Sequence, residues 1–156
     1  MTSFLSRRRF LLSSAGGLLA TTAFAARAPL AAQDLGTGLV WIKGAGANLV
    51  VLKGPEGLVF TDGGLEAHSG DVLSLARKRL GEKRPAALLN THWHREHTGL
   101  NERLGAKGVK IIAHENTRLW LSTTVRYEPD GTPLRPLSKE GRPNETTWRD
   151  GQLVAG

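Results

Sequence analysis

The chain has 156 residues, 21 basic against 14 acidic, a formal net charge of +7, 40% hydrophobic residues and no cysteine. That length allows one domain, and the apolar content suits a globular one. The absence of cysteine excludes a disulfide framework and any thiolate metal site.

The N-terminus reads as a targeting segment. Ser6-Arg7-Arg8-Arg9-Phe10-Leu11-Leu12 resembles the bacterial twin-arginine export signal, lacking only the frequent final Lys. A weakly apolar run follows over residues 10–26. Small-residue steps come next at Ala23-Phe24-Ala25, at Ala26-Arg27-Ala28 and at Leu30-Ala31-Ala32 before Gln33. Charged, apolar, then small is the order of a signal peptide. The alternative is an uncleaved membrane anchor, although the run is short and polar for a span of about 20 apolar residues. We draw the boundary after Ala32, with residues 1–32 as signal and 33–156 as the folded part. The resemblance implies export to the periplasm in folded form, often with a cofactor already inserted, and membrane contact only during export. Four of the 21 basic residues and no acid fall in residues 1–32, leaving 17 against 14, or +3. The basic excess therefore belongs to translocation, and no nucleic-acid partner is expected.

Strand signals follow. Leu39-Val40-Trp41-Ile42, Leu49-Val50-Val51-Leu52 and Leu58-Val59-Phe60 are short apolar runs separated by glycine-rich turns, an antiparallel meander by pattern. The Gly44–Gly46 pair imitates a phosphate cradle, but it lacks the third glycine and the following helix and reads as a hairpin loop. The third strand ends in Thr61-Asp62-Gly63-Gly64, an Asp-Gly turn by composition. Residues 65–80 carry helical spacing through Val72, Leu75, Ala76 and Leu80, with Gly81 as the stop. His68, near the helix start, reads as a surface histidine. Ala86-Ala87-Leu88-Leu89-Asn90 is the next strand, completing a βαβ step whose carboxyl end is where sites form.

Three of the five histidines then fall within residues 91–101, in Thr91-His92-Trp93-His94-Arg95-Glu96-His97-Thr98-Gly99-Leu100-Asn101. On an extended segment His92, His94 and Glu96 point one way. Imidazole and carboxylate are ligands that a zinc-type cation takes. The cluster is too crowded for one tetrahedral site and divides better into His92 with His94 for one ion and Glu96 with His97 for a second. The bland alternative is a histidine-rich surface loop. A short helix to Leu104 and a buried strand over residues 109–113 follow. His114 either supports the structure or lines the pocket. Beyond Leu121 regular structure fades. Residues 127–143 hold four of the seven prolines and read as a long loop, and Thr146-Thr147-Trp148 reads as a strand entering a hairpin turn at Asp150-Gly151.

The run His92-x-His94-x-Glu96-His97 resembles the H-x-H-x-D-H signature of the metallo-β-lactamase fold hydrolases, with Glu where that family usually has Asp. The resemblance extends from about Leu39 to the end of the chain. It implies an α/β (α+β) fold, an αββα sandwich of two sheets covered by helices, of which this chain matches the first, βαβ-containing half. It implies one or two Zn2+ ions held by His92, His94, Glu96 and His97. Glu96 is then also the candidate catalytic carboxylate, and Asp62 the carboxylate behind the metal loop that orients it. The chemistry implied is hydrolysis, with a metal-bound hydroxide attacking a carbonyl, ester or related bond of a small-molecule substrate. The fold does not choose among lactams, lactones, thioesters and phosphodiesters. Glu for Asp extends the reach by roughly 1.5 Å, which shifts or weakens the second metal position.

The family's second half normally brings a further His, a bridging Asp and a last His. After His114 this sequence has no histidine, and its only later aspartates are Asp130 and Asp150. The expectation is therefore a truncated member whose site is incomplete as given. The other reading is a non-catalytic remnant with weak or no metal binding. Strands apolar on both sides expect cover on both faces, so self-association or a partner supplying the second half is expected as well.

Overall fold

The computed structural model describes residues 29–81, 84–127 and 131–148. Most of the expected signal segment and the Asp150-Gly151 turn lie outside these residues. Four strands come first: β1 (Ala31–Gly36), β2 (Leu39–Lys43), β3 (Leu49–Gly54) and β4 (Gly57–Thr61). A 3-10 turn (Glu66–His68) leads into α1 (Ser69–Leu80), followed by β5 (Pro85–Asn90), α2 (Asn101–Gly105), β6 (Lys110–His114) and α3 (Glu115–Leu121). The chain continues through β7 (Val125–Tyr127), β8 (Thr132–Leu134) and β9 (Glu145–Thr147). Seven strands form one sheet in the order β1-β2-β3-β4-β5-β6-β9, and β7 pairs with β8 in a separate hairpin. The first four strands are antiparallel neighbours, whereas β4, β5, β6 and β9 run parallel. The parallel half places the carboxyl ends of β4, β5 and β6 side by side.

The expected strands at β2, β3, β4, β5 and β6 form within a residue or two of where the sequence puts them. Burial alternates along β2 and β3, whereas β5 and β6 bury neighbouring residues on both faces. Val40, Ile42, Leu49, Val51, Leu58, Phe60, Leu88 and Ile111 are essentially inaccessible on one face, where Val72, Leu73 and Ala76 of α1, Leu104 of α2 and Leu100 at its N-cap complete a single core. The opposite face carries Trp41, Val50, Leu52, Val59 and Leu89, all half-buried. There the Lys43 ammonium lies over the Trp41 ring, 3.4 Å from its centroid, and the Trp41 indole N–H donates to Asn48 Oδ1 at 3.2 Å. Apolar side chains do occupy both faces, as the sequence suggests; the face away from α1 is half-buried at Trp41, Val50, Leu52 and Val59 and buried at Ala87 and Ile112.

Four differences from the sequence reading have local physical causes. First, the helix expected over residues 65–80 starts as α-helix only at Ser69. Leu65 is extended (φ −72°, ψ 144°), with its N–H bound to the Ala45 carbonyl at 2.7 Å, so it cannot enter the helix. Asp71 in the first turn and Arg77, Lys78 and Arg79 in the last suit the helix dipole, and Gly81 (φ 66°) closes it with an N–H to the Arg77 carbonyl. His68 is half-buried at the cap position rather than simply on the surface. Second, β1 shows no apolar alternation; it is an edge strand made by pairing with β2 and broken by an irregularity at Asp34/Gly36, where Asp34 Oδ1 accepts the Gly36 N–H. It starts at Ala31, so the boundary drawn after Ala32 falls inside a strand. Third, α3 is capped by His114, whose Nδ1 accepts the Asn116 N–H at 3.1 Å; histidine is not among the residues that signal an N-cap in sequence. Fourth, the long loop over residues 127–143 contains β8. The segment then returns to the sheet as β9 through Asn144, whose Oδ1 accepts the Ile111 N–H at 2.9 Å while its Nδ2 donates to the Val109 carbonyl at 3.2 Å.

Phe60 lies at the centre of the buried face. Phe60→Ala is expected to cost about 3–5 kcal/mol, read as a lower denaturation midpoint in urea. Leu119→Ala, at a side chain 57% exposed on α3, should stay within about 0.5 kcal/mol of the parent.

Candidate metal centre

The site is built across the carboxyl ends of β4 and β5. Asp62 follows β4, and its N–H reaches the Leu89 carbonyl on β5 at 2.7 Å. Its backbone is left-handed (φ 63°), a conformation that costs a non-glycine residue about 1 kcal/mol or more. The carboxylate, 4% exposed, makes three bonds that offset this. Oδ1 accepts the Thr91 N–H at 2.8 Å, and Oδ2 accepts both the Thr91 hydroxyl at 2.8 Å and the His97 Nδ1–H at 3.0 Å.

Those bonds also decide the state of a second imidazole. The single hydroxyl proton of Thr91 is committed to Asp62, so Thr91 Oγ1 accepts from His92, whose Nδ1 lies 2.9 Å away. One buried carboxylate thus places a proton on Nδ1 of both His92 and His97. Burial, then the neighbouring His97 and His94, hold the His92 pKa below the ordinary imidazole value. His92 is therefore neutral at neutral pH, the form that binds a cation.

The loop itself departs from the expected extended run. Residues 92–97 are bends and a turn, with the His97 N–H on the His94 carbonyl at 3.0 Å and the Thr98 N–H on the Arg95 carbonyl at 3.3 Å. Alternation is therefore not what gathers the side chains; the turn is. The His92 ring lies 4.0 Å from that of His97 and 4.6 Å from that of His94, centroid to centroid. Glu96 Oε1 is 3.8 Å from His94 Nδ1. The tightest imidazole pair joins the two sets that spacing had separated. The donors are of the type zinc takes. Yet among the described residues no group of three or more His, Asp or Glu side chains is disposed to hold one ion. The fit is one of donor chemistry, without a closed cage.

Below the loop, two buried amides that the sequence does not single out hold it to the sheet. Asn90 and Asn101 donate to each other's side-chain oxygens at 3.0 and 2.8 Å, and Asn90 Nδ2 also reaches the His97 carbonyl at 3.4 Å. Asn101 Nδ2 reaches the Gly141 carbonyl at 3.0 Å. Gly99 passes so close to residues 64–66 that a Cβ there would lie 2.3 Å from the Gly64 carbonyl oxygen, which excludes any side chain. Arg95 points away from the imidazoles, donates to the Arg135 carbonyl, and lines a cleft of about 710 Å³ with Glu66, Thr98, Glu102 and Arg135.

Asp62→Asn keeps the shape, tolerates the left-handed backbone and removes the anionic acceptor. It should shift His97 and His92 away from the Nδ1–H tautomer, visible in the long-range 15N correlations of the imidazoles. Unchanged ring nitrogen shifts would show that Asp62 does not set the tautomers.

Among known proteins, the family model of the Metallo-beta-lactamase superfamily matches residues 42–152. No curated protein matches the chain closely enough to count as a relative. Solved structures do. BJP-1, a subclass B3 metallo-beta-lactamase of Bradyrhizobium japonicum, superposes with a TM-score of 0.66 at 19% identity, over 83% of this chain and 50% of that one. A metallo-beta-lactamase of Cronobacter sakazakii gives 0.67 at 18% identity, over 83% and 51%. A structure described as the first B3 metallo-beta-lactamase with an active site glutamic acid gives 0.65 at 22% identity, over 83% and 50%. The chain thus spans about half the length of the solved structures it matches. With the family model covering residues 42–152, well over half of the chain, the chain belongs to the metallo-beta-lactamase superfamily.

Proposed function

We propose that this chain carries the His92/His94/Glu96/His97 part of an exported zinc hydrolase that acts on a small molecule with an electrophilic carbonyl or ester-like group. The observation that carries this reading is the pair of imidazoles whose Nδ1 atoms are held by Asp62, directly for His97 and through Thr91 for His92. Such outer bonds orient histidines that use the other nitrogen as a ligand. Zinc, when bound, supplies Lewis acidity that polarises an oxygen and acidifies a water. His92, His94 and His97 would hold it, and Glu96 would add a carboxylate able to take up a proton beside His94.

A second reading, a family member with weak metal binding and no turnover, is favoured by one observation: among the described residues no three ligands close on one point. A catalytic zinc site takes three protein ligands and an open position. One set of measurements separates the readings. After dialysis against a mild chelator, elemental analysis should find less than one zinc per chain, and His94→Ala should lose what remains. Two tightly held zincs, with turnover of a lactam, lactone or thioester within tenfold of a full-length relative, would overturn the view that the site needs further ligands.

Export is proposed from Arg7 and Arg8. Changing both to Lys should abolish periplasmic recovery. The fold bears on where the signal is cut. Leu30 packs against the core, and Ala31 and Ala32 pair with Lys43 and Ile42, so a cut after Ala32 would remove part of β1. Cleavage at the Ala25 or Ala28 step keeps the strand, and the mature N-terminus found by mass spectrometry should precede Leu30. The half-buried apolar face of the sheet is the proposed surface for self-association or for a partner. Light scattering at micromolar concentration should find species larger than the monomer, and a monodisperse monomer with a sharp thermal transition would count against it.

A further inference from the structure

The histidine loop carries an aromatic residue that the metal reading does not use. Trp93 stands between His92 and His94, half-buried, with its ring edge-on to that of His94 at 4.5 Å between centroids and 80° between planes. Its other neighbour is Trp120 of α3. The two indoles stack at 5.6 Å with 27° between planes, and Trp120 stays 46% exposed. A continuous aromatic surface therefore runs from the imidazole cluster outward onto α3.

Two features separate this surface from a packing staple. The loop is already tied down by Asp62, by the Asn90–Asn101 pair and by the contact at Gly99, so the indoles are not needed to hold it. A staple would also bury its larger faces, yet Trp120 leaves nearly half of its surface to solvent.

We propose that Trp93 and Trp120 form a subsite for a flat aromatic group of the substrate, which lies against the indoles while its reacting group reaches His92 and His94. Indole faces and edges take an aromatic ring in offset or edge-on contact. They also attract cations, but an occupant held beside imidazoles that gather a divalent cation is disfavoured if it is itself positive. The occupant is therefore a neutral aromatic ring that carries its polar group at the end facing the histidines. This inference rests on the hydrolase reading for calling the occupant a substrate and for preferring a neutral ring to a cation, whereas the claim that the indoles take an aromatic ring concerns only the indoles.

The test uses the 15N-labelled full chain, whose indole N–H signals belong to Trp41, Trp93, Trp120 and Trp148, with and without one equivalent of zinc chloride. The probes are 2-naphthoate, acetate and tetramethylammonium. Naphthoate should shift the Trp93 and Trp120 signals to saturation, with acetate and tetramethylammonium far weaker. Trp120→Ala should weaken naphthoate binding about tenfold, equivalent to about 1.4 kcal/mol, and Trp120→Phe should recover most of it. Zinc affinity should change less than twofold in both variants, a readout that separates a binding role from a structural one. Equal naphthoate affinity in Trp120→Ala, shifts led by Trp41 or Trp148, or an equal response to tetramethylammonium would overturn the proposal. Failure of the parent chain to bind zinc while naphthoate still occupies the indoles would remove the hydrolase reading and leave the subsite standing.

Discussion

The carboxylate of Asp62 is the constraint on which the rest of the site depends. It lies at the end of β4, yet its three bonds all go to residues that follow β5. Two parallel strands are thereby locked at their carboxyl ends, and the orientation of two imidazoles follows from one buried group. Neighbouring features answer to the same point. The left-handed backbone at Asp62 and Gly64 swings the chain back across the loop, the Gly63 N–H takes the His97 carbonyl at 2.6 Å, and the Gly99 N–H takes the Gly64 carbonyl at 2.7 Å. Leu65 is drawn towards Ala45 in the process, which delays the start of α1.

The sheet explains why this happens at one place. Parallel strands joined by covering helices bring loop after loop to the same edge. β4 ends in Asp62, β5 in the histidine loop and β6 in His114. The core under α1 and α2 keeps these strands in register, through Phe60 beside Leu88 and Leu88 beside Ile111. The Asn90–Asn101 amides then satisfy each other where the chain leaves β5, so the loop stands on a hydrogen-bonded base with no buried side-chain polar atom left unpartnered among the described residues. His114 serves here as a cap. Its Nδ1 is used by the Asn116 N–H, and its ring meets Trp148 edge-on at 5.9 Å. That accounts for its place at the strand end without any ligand role.

The order of strand, helix and strand could be read from apolar runs and glycine stops because those signals are local: β2 to β6 are short apolar runs and the body of α1 is periodic over its own few residues. Membership of the family could be read from His92, His94, Glu96 and His97 because ligand spacing is written along the chain. Two elements could not be read this way. β1 has no pattern of its own and exists through its pairing with β2. α3 begins on a histidine cap, which composition does not announce. β9 forms where Thr146-Thr147-Trp148 reads as a strand, but its place beside β6 depends on Asn144 bonding to residues 109 and 111.

The candidate site divides in the same way. Sequence by itself determined which donors are present, that they follow a strand, and that a carboxylate stands after the strand before it, since all of this is residue type and order. Tertiary structure alone decided how they meet. The turn at residues 94–98, rather than strand alternation, sets the His92 ring against both His94 and His97. Contacts 29 and 35 residues apart let Asp62 place the imidazole protons, and the approach of α3 sets Trp120 against Trp93. Each of these depends on segments distant in sequence becoming neighbours in space, and one-dimensional spacing carries no record of that.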